Sequence, residues 1–348
     1  MSGATHAVPL AGRLFELLIE AQDSAAGYRG FVSGAQLAAQ LGVTRGAVWK
    51  AATQLRELGL GLQALPRQGY RLSVPCTALH RAAVLAALDA GTAAALRQGD
   101  CVWSIGSTNA ALLARGGLAP GQFDFLTAEV QTAGRGRRGR RWLAPPGGAV
   151  CLSWSWRFEV LPAQGGALSL VIGLAARRAL QQLGIEGVQI KWPNDLVCAQ
   201  GKLGGILIEL RAEAGGPTQV VIGIGLNLHL DAALTAAVAA EGNRAAGLSV
   251  LGAAMPERSA LVAALLSAGV QGLQQFASEG FAPFHSDYAQ ADALRGLAVT
   301  ASGGAVALHG VASGVDADGA LLIRTDAGLQ RVLSGDVSIR PQSQEPGA

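Results

Sequence analysis

Cysteine is scarce in this chain, and its placement rules out the chemistry cysteine most often supports. Cys76, Cys101, Cys151 and Cys198 lie far apart, with no C-x-x-C and no histidine pair nearby at metal-ligand spacing. That pattern leaves reduced, structural thiols. Long apolar runs are missing as well. Nowhere do about 18 uninterrupted apolar residues occur, as a membrane helix needs. Met1 to Leu10 lacks the charged stretch followed by a continuous apolar one that marks a secretory leader. The expectation is a cytoplasmic protein without a membrane partner. Net charge is low too, at +3. The excess sits entirely in residues 1 to 75, where Arg13, Arg29, Arg45, Lys50, Arg56, Arg67 and Arg71 stand against Glu16, Glu20, Asp23 and Glu57. A modestly basic amino-terminal unit on a formally neutral body hints at a separate nucleic-acid module.

What is present is a chain of 348 residues, half of them hydrophobic, with room for two or three domains. Its most unusual stretch is Gly134 to Trp142, Gly-Arg-Gly-Arg-Arg-Gly-Arg-Arg-Trp, which puts five guanidinium groups where glycine keeps interrupting any helix or strand. A flexible cationic loop of this kind suits an anion. Taken alone it reads as a nucleic-acid or targeting patch.

The segment from Ser33 to Ala52 fits two helices joined by a tight turn. Ser33 is positioned to cap the first, with Leu37, Ala38 and Leu41 inward; Gly42 supplies a positive φ, and Val43 plugs the angle between the helices. Thr44 caps the second, whose inward positions are Ala47, Val48 and Leu55. This resembles a helix-turn-helix. It leaves Arg45, Trp49, Lys50 and Arg56 on or near the face that a recognition helix offers to the major groove and its phosphates. Leu60 to Leu72 follows as a hairpin wing around Pro66-Arg67-Gln68-Gly69, with Arg67 and Arg71 set to reach phosphate.

In the middle of the chain, a strand ending at Ile105 runs into Ser107-Thr108-Asn109 at the start of a helix, either a plain cap or a cluster of groups for a compact polar ligand. Phe125 to Gln131 is a strand that places Gln131 at the hinge of the arginine loop. Ala149 to Phe158 is another, with Trp154 and Trp156 as core residues. Val188 to Leu196 ends a strand at a proline turn, and the chain turns back through Gly201 into Lys202 to Glu209, a hairpin that brings Asp195 near Lys202. Each of those two has an ordinary structural reading, but Gly204-Gly205 inside a strand-like run asks for a backbone or ligand close by. Val220 to Leu228 carries a G-x-G at Gly223 and Gly225 that is no dinucleotide fingerprint, since no third glycine opens a helix there.

Ser107 to Asn109, the Gly134 to Trp142 loop, Lys191 to Leu196, Gly201 to Leu207 and Gly223 to Asn227 occur in the order and approximate spacing of the biotin protein ligases. With the helix-turn-helix, the chain resembles the bifunctional kind that also serves as biotin operon repressor, from about Phe15 to Arg340. The resemblance implies an α+β architecture: a winged helix-turn-helix over residues 1–75, a class II synthetase-like mixed-sheet catalytic domain over 80–290 and an SH3-like barrel over 293–342. It implies ATP, Mg2+ and biotin as cofactor and substrates, biotinyl-AMP as intermediate, and the biotin carboxyl carrier protein and operator DNA as partners. It also implies a homodimer through the central sheet.

By the same resemblance, Ser107, Thr108, Asn109, Gln131 and the backbone region of Arg135, Gly136 and Arg137 bond biotin, and Lys202 sits between its carboxylate and the α-phosphate. Arg140, Trp142, Asn194, Asn227 and Arg340 face the nucleotide, and Asp195 orients Lys202 or helps hold Mg2+. Arg137, Lys202 and Asp195 are the catalytic candidates. Arginine suits converging negative charge through its rigid fork of donors. The related lipoate ligases share the architecture, but no histidine and aspartate follow Gly147-Gly148-Ala149-Val150 as their glycine-rich segment would require. A ligand-responsive transcription factor with a degenerate ligase site is the alternative, and the intact Lys202 and arginine loop argue against it. Near the carboxy terminus, Asp316-Ala-Asp318-Gly319 reads as a hairpin turn and not a calcium loop.

Overall fold

The computed structural model describes residues 8–23, 30–212, 216–230, 232–240, 244–302, 307–333 and 338–341. The amino-terminal module holds α1 (Leu10–Asp23), α2 (Gly34–Leu41), α3 (Arg45–Glu57), β1 (Leu62–Leu65) and β2 (Gly69–Leu72). The helix-turn-helix and wing form where the sequence places them. Ser33 and Gln36 make a full capping box on α2, Thr44 accepts from the Ala47 amide to cap α3, and Gly42 turns the chain at φ 67. Leu37, Ala38, Leu41, Val48 and Leu55 are buried as expected. Ala47 is only half-buried, and Ala51 and Ala52 one turn on fill the helix crossing instead. α1 lies outside the expected elements; it adds Leu14, Phe15 and Leu18 to the same core.

The central unit runs α4 (Arg81–Ala87), α5 (Ala90–Ala95), β3 (Leu96–Ile105), α6 (Thr108–Ala114), β4 (Phe123–Gln131), β5 (Ala149–Phe158) and α7 (Leu168–Gln182). It continues through β6 (Gln189–Lys191), β7 (Asp195–Cys198), β8 (Gly201–Ala212), β9 (Thr218–Asn227), α8 (Ala232–Ala240), α9 (Arg258–Glu279) and α10 (His285–Ala291). The strands form one mixed sheet in the order β3-β4-β5-β9-β8-β7-β6. β3 and β4 are parallel and the other neighbours antiparallel. The proline turn after Lys191 folds β6 onto β7, and the expected turn from Cys198 to Gly201 folds β7 onto β8, with a register shift after Leu196.

Because side chains alternate across a strand, each strand serves two environments. Trp154, Phe125, Ile222, Ile224 and Ile206 point into the main core with α7 and α9. Their neighbours Cys151, Ser153, Gly223, Gly225 and Gly205 fall on the opposite face. There α6 lies against the sheet, with Leu112 packed on Leu126 and Val221. Helix α9 has the length and apolarity to cross a bilayer, yet most of its apolar window is buried inside the protein.

The carboxy-terminal strands β10 (Ala298–Ser302), β11 (Leu308–Val315), β12 (Leu321–Thr325), β13 (Gly328–Val332) and β14 (Ser338–Pro341) form an antiparallel sheet ordered β13-β12-β11-β10-β14. These five antiparallel strands are the SH3-like unit expected at the carboxy terminus, with β13 and β14 at the two ends of the strand order among the described residues. Asp316 accepts from the amides of Asp318 and Ala320, both at 2.9 Å, and pairs with Arg331, as the turn reading requires. This sheet shares the main core with the central unit through Val299, Leu321 and Ile323. Trp192 Nε1 crosses the junction to donate to Gly319 O at 3.0 Å.

All four cysteines are free thiols. Burial pushes Cys76 and Cys101 up to about 12 and Cys151 up to about 11, so these three are protonated near neutrality, as structural thiols should be.

Candidate active site

The polar face of the sheet owes its shape to missing side chains. A β-carbon at Gly223 would lie 2.3 Å from Asn109 Oδ1, and one at Gly225 would lie 2.3 Å from Trp142 Cε2. Glycine there lets α6 and the arginine loop come down onto β9. On the next strands, Lys202 Nζ meets Asp195 Oδ1 at 2.5 Å beside Gly205. The hairpin that the sequence implies therefore does bring this pair together.

The arginine loop is folded. Gly136 N donates to Arg140 O at 2.7 Å, Trp142 N donates to Gly134 O at 3.0 Å, and Arg137 to Gly139 make a short 3-10 turn. Arg135, Arg138, Arg140 and Arg141 stay exposed, whereas Arg137 turns inward and donates Nη1 to Asn194 Oδ1 at 3.1 Å. Asn194 is itself fixed, Nδ2 donating to Ile206 O at 2.8 Å. The loop thus brings one guanidinium to the β6–β7 turn, close in sequence to Asp195. Of the backbone region expected to meet biotin, the Gly136 amide is used inside the loop.

At the other end, Ser107 caps α6 by accepting from Ala110 N at 3.4 Å, the plain cap of the three polar residues. Thr108 N donates to Gln131 Oε1 at 2.9 Å, and Thr108 Oγ1 lies 2.6 Å from Ser153 Oγ. Asn109 is already held by protein partners. Its Oδ1 accepts from Ser153 Oγ at 2.6 Å and its Nδ2 donates to Glu209 Oε2 at 2.8 Å, which engages both ends of the amide. Ser153 and Glu209 are site residues that sequence reading missed. Their signal was parity: each is polar and alternates with core residues, Ser153 before Trp154 and Glu209 after Ile208.

Asn227 is buried and donates Nδ2 to Ala246 O at 3.3 Å, which ties the end of β9 to the following loop. The backbone of Arg340 pairs opposite Thr300 in β14, and the placement of its side chain lies outside the described residues. Asp195 is engaged by the Lys202 ammonium, which is the orienting role of the two expected of it. Among the described residues no group of three His, Cys, Asp or Glu lies together to hold an ion, so Mg2+ here would rest chiefly on the nucleotide's phosphates.

On the amino-terminal module, Arg45, Trp49 and Lys50 project from α3 into solvent, Trp49 at 58% exposure, and Arg67 is exposed at the tip of the wing. Two of the expected phosphate ligands also have partners within the module. Arg56 Nε donates to Leu62 O at 3.0 Å, bracing the wing against the helix. Arg71 donates Nη2 to Gln63 Oε1 at 2.6 Å and lies over the Phe31 ring, 4.7 Å from its centroid. Both guanidinium groups hold the module together.

Comparison with known proteins matches this geometry. The biotin/lipoate A/B protein ligase family pattern covers residues 121–227, an HTH domain pattern covers 27–71, and the biotin protein ligase C-terminal domain pattern covers 298–340. The chain is 37% identical to the bifunctional ligase/repressor BirA of Escherichia coli (strain K12), over 89% of this chain and 93% of that protein. It is 35% identical to the biotin--[acetyl-CoA-carboxylase] ligase of Paracoccus denitrificans over 66% of this chain and 96% of that one. The solved biotin protein ligase from Aquifex aeolicus, in complex with biotin and ATP, superposes with TM-score 0.58 at 25% identity, covering 71% of this chain and all of that one. On the residues, the fold and these likenesses together, the chain belongs to the biotin protein ligase family, in its helix-turn-helix-bearing ligase/repressor form.

Proposed function

We propose that this chain activates biotin with ATP and transfers it to a lysine of the biotin carboxyl carrier protein of acetyl-CoA carboxylase. In the first step a biotin carboxylate oxygen attacks the α-phosphorus, and pyrophosphate leaves to give biotinyl-5′-AMP. In the second, the carrier lysine amine attacks the acyl carbon and AMP departs. The observation that carries this reading is the meeting of Lys202 with Asp195, next to Arg137 on Asn194, above a glycine floor. Two anions must approach each other in the first step, and cations fixed in advance stabilise the charge that accumulates. Lys202 takes the place between carboxylate and α-phosphate, with Asp195 orienting its ammonium. Trp142, Asn194 and Asn227 form the nucleotide side, and exposed Arg140 reaches it from the loop. Mg2+ enters chiefly on the nucleotide's phosphates.

The second activity is repression of a biotin operon through α3 and the wing, with Arg45, Trp49, Lys50 and Arg67 as the DNA-facing set. Residues 1–75, 80–290 and 293–342 divide the work as DNA-binding, catalytic and carboxy-terminal domains, in a cytoplasmic homodimer joined through the central sheet. Incubation with biotin, ATP and a carrier domain should yield biotinylated carrier, detected by a mass increase on its lysine. No transfer at substrate saturation, with biotin still bound, would favour the degenerate regulator. Gel shifts on DNA upstream of biotin-synthesis genes, with and without biotin plus ATP, test the repressor half. Sedimentation under the same conditions tests the dimer.

A further inference from the structure

A chain of hydrogen bonds runs beneath the candidate biotin pocket, and a charge at one end sets its direction. Glu209 on β8 takes the Asn109 Nδ2 proton at 2.8 Å. A carboxylate only accepts, so the Asn109 amide keeps its nitrogen toward Glu209 and Leu207 O and its oxygen toward Ser153. Ser153 must then donate to Asn109 Oδ1, at 2.6 Å, and has no proton left. Its other 2.6 Å contact, with Thr108 Oγ1, is made by the Thr108 proton. Gln131 Oε1, 3.1 Å from the same hydroxyl, is held instead by the Thr108 amide at 2.9 Å. Buried Thr108 Oγ1 is left offering lone pairs.

We propose that Glu209 is a positioning residue whose charge polarises the chain Glu209, Asn109, Ser153, Thr108, so that Thr108 meets the ligand as an acceptor and selects an N–H donor such as a cyclic urea. This rests on the biotin reading above. A desolvated acceptor rejects ligands that lack the donor far more strongly than an apolar wall rejects a missing methylene. The fold supports the same residue layout, since Gly223 makes the room in which Asn109 sits.

Two variants of near-identical shape separate polarity from packing. In Glu209→Gln the neighbour can donate as well as accept, so only the longer bond to Leu207 O, 3.3 Å, still holds the Asn109 nitrogen; the amide turns more readily and the chain reverses, which presents a Thr108 proton to the ligand N–H. In the double variant Asn109→Asp with Glu209→Gln, the carboxylate has moved one link along; one of its oxygens faces Leu207 O, at a cost in stability, but the carboxylate still only accepts, so Ser153 and Thr108 donate in the original direction. Calorimetric titration of the full chain with biotin should show about a tenfold weaker Kd for Glu209→Gln, or 1.4 kcal/mol. The double variant should return to within about threefold of the unmodified chain. Wild-type affinity in Glu209→Gln, or a double variant as weak as the single one, overturns the proposal. Should Glu209→Gln unfold, the double variant decides alone: a Kd within about threefold of the unmodified chain supports the proposal, and one about tenfold weaker overturns it. Failure of the unmodified chain to bind biotin removes the parent reading and this inference with it.

Discussion

The two faces of the central sheet are built from the same strands and do opposite work. On β5, Leu152, Trp154 and Trp156 enter a core closed by α7 and α9, while Cys151, Ser153 and Ser155 line the face under α6. On β9, Ile222 and Ile224 fill the core while Gly223 and Gly225 leave space for Asn109 and Trp142. One face is close-packed and apolar; the other trades side-chain volume for polar groups in fixed positions. The period of two makes both possible within ten residues of strand, and it predicts that damage to each face should read out differently.

The largest effect belongs to the core face. Trp154→Ala should cost about 3–5 kcal/mol of stability through lost burial and the cavity left behind, read by denaturant unfolding. The folded fraction should still bind biotin with its original Kd. A change in Kd as large as the stability loss would break the separation of faces.

Arg137→Gly comes next and should act on the site alone. Removing one preorganised donor at a developing charge costs about 10² or more in rate. The protein should keep its unfolding curve but release its adenylate, followed by the appearance of free biotinyl-AMP in a filtrate. Undiminished retention would leave Arg137 without the role given to it here.

Gly225→Ala sharpens the comparison at a single methyl group. The added carbon meets Trp142 at 2.3 Å, so the ring must move. The Kd for ATP should rise about tenfold with little change in unfolding midpoint. Loss of stability without loss of ATP affinity would show that Trp142 is only a packing residue.

The smallest effect lies in the amino-terminal module, which has its own small core and joins the sheet where Phe15 meets Trp103 at 5.6 Å. Ser33→Ala removes the cap of α2 and should cost about 1 kcal/mol. Lys50→Ala and Arg67→Ala should leave that stability unchanged and each lower the salt slope of DNA binding by about one. An unchanged slope would sink the DNA-facing assignment of α3 and the wing.

Most of the fold is specified by local signals in the sequence. Ser33, Gly42 and Thr44 specify a helix-turn-helix through caps and one left-handed residue, all within a few bonds of the atoms they satisfy. The strand from Phe125 to Gln131 and the one from Ala149 to Phe158 were legible from alternation, and the Lys202 and Asp195 pairing from a turn of a few residues. Where partners are distant, the sequence did not reveal them. Arg56 and Arg71 have the charge of phosphate ligands, but Leu62 O and Phe31 lie beside them only after the wing folds back. Asn109 has the chemistry of a ligand contact, yet Ser153 and Glu209, 44 and 100 residues onward, occupy its amide first.

The sequence by itself determined which segments are helix, turn and strand, which face of each strand is apolar, and which cations exist to meet an anion. Those follow from propensity, period and composition, which act over a few residues. Only the tertiary structure decided that one arginine of five turns inward, that Glu209 closes a chain beginning at Thr108, and that glycines on β9 are occupied space for Asn109 and Trp142. Each of these joins residues far apart in the chain, brought together by a helix, a loop and strands whose order in the sheet, β5-β9-β8, differs from their order in the chain, so no local pattern encodes it.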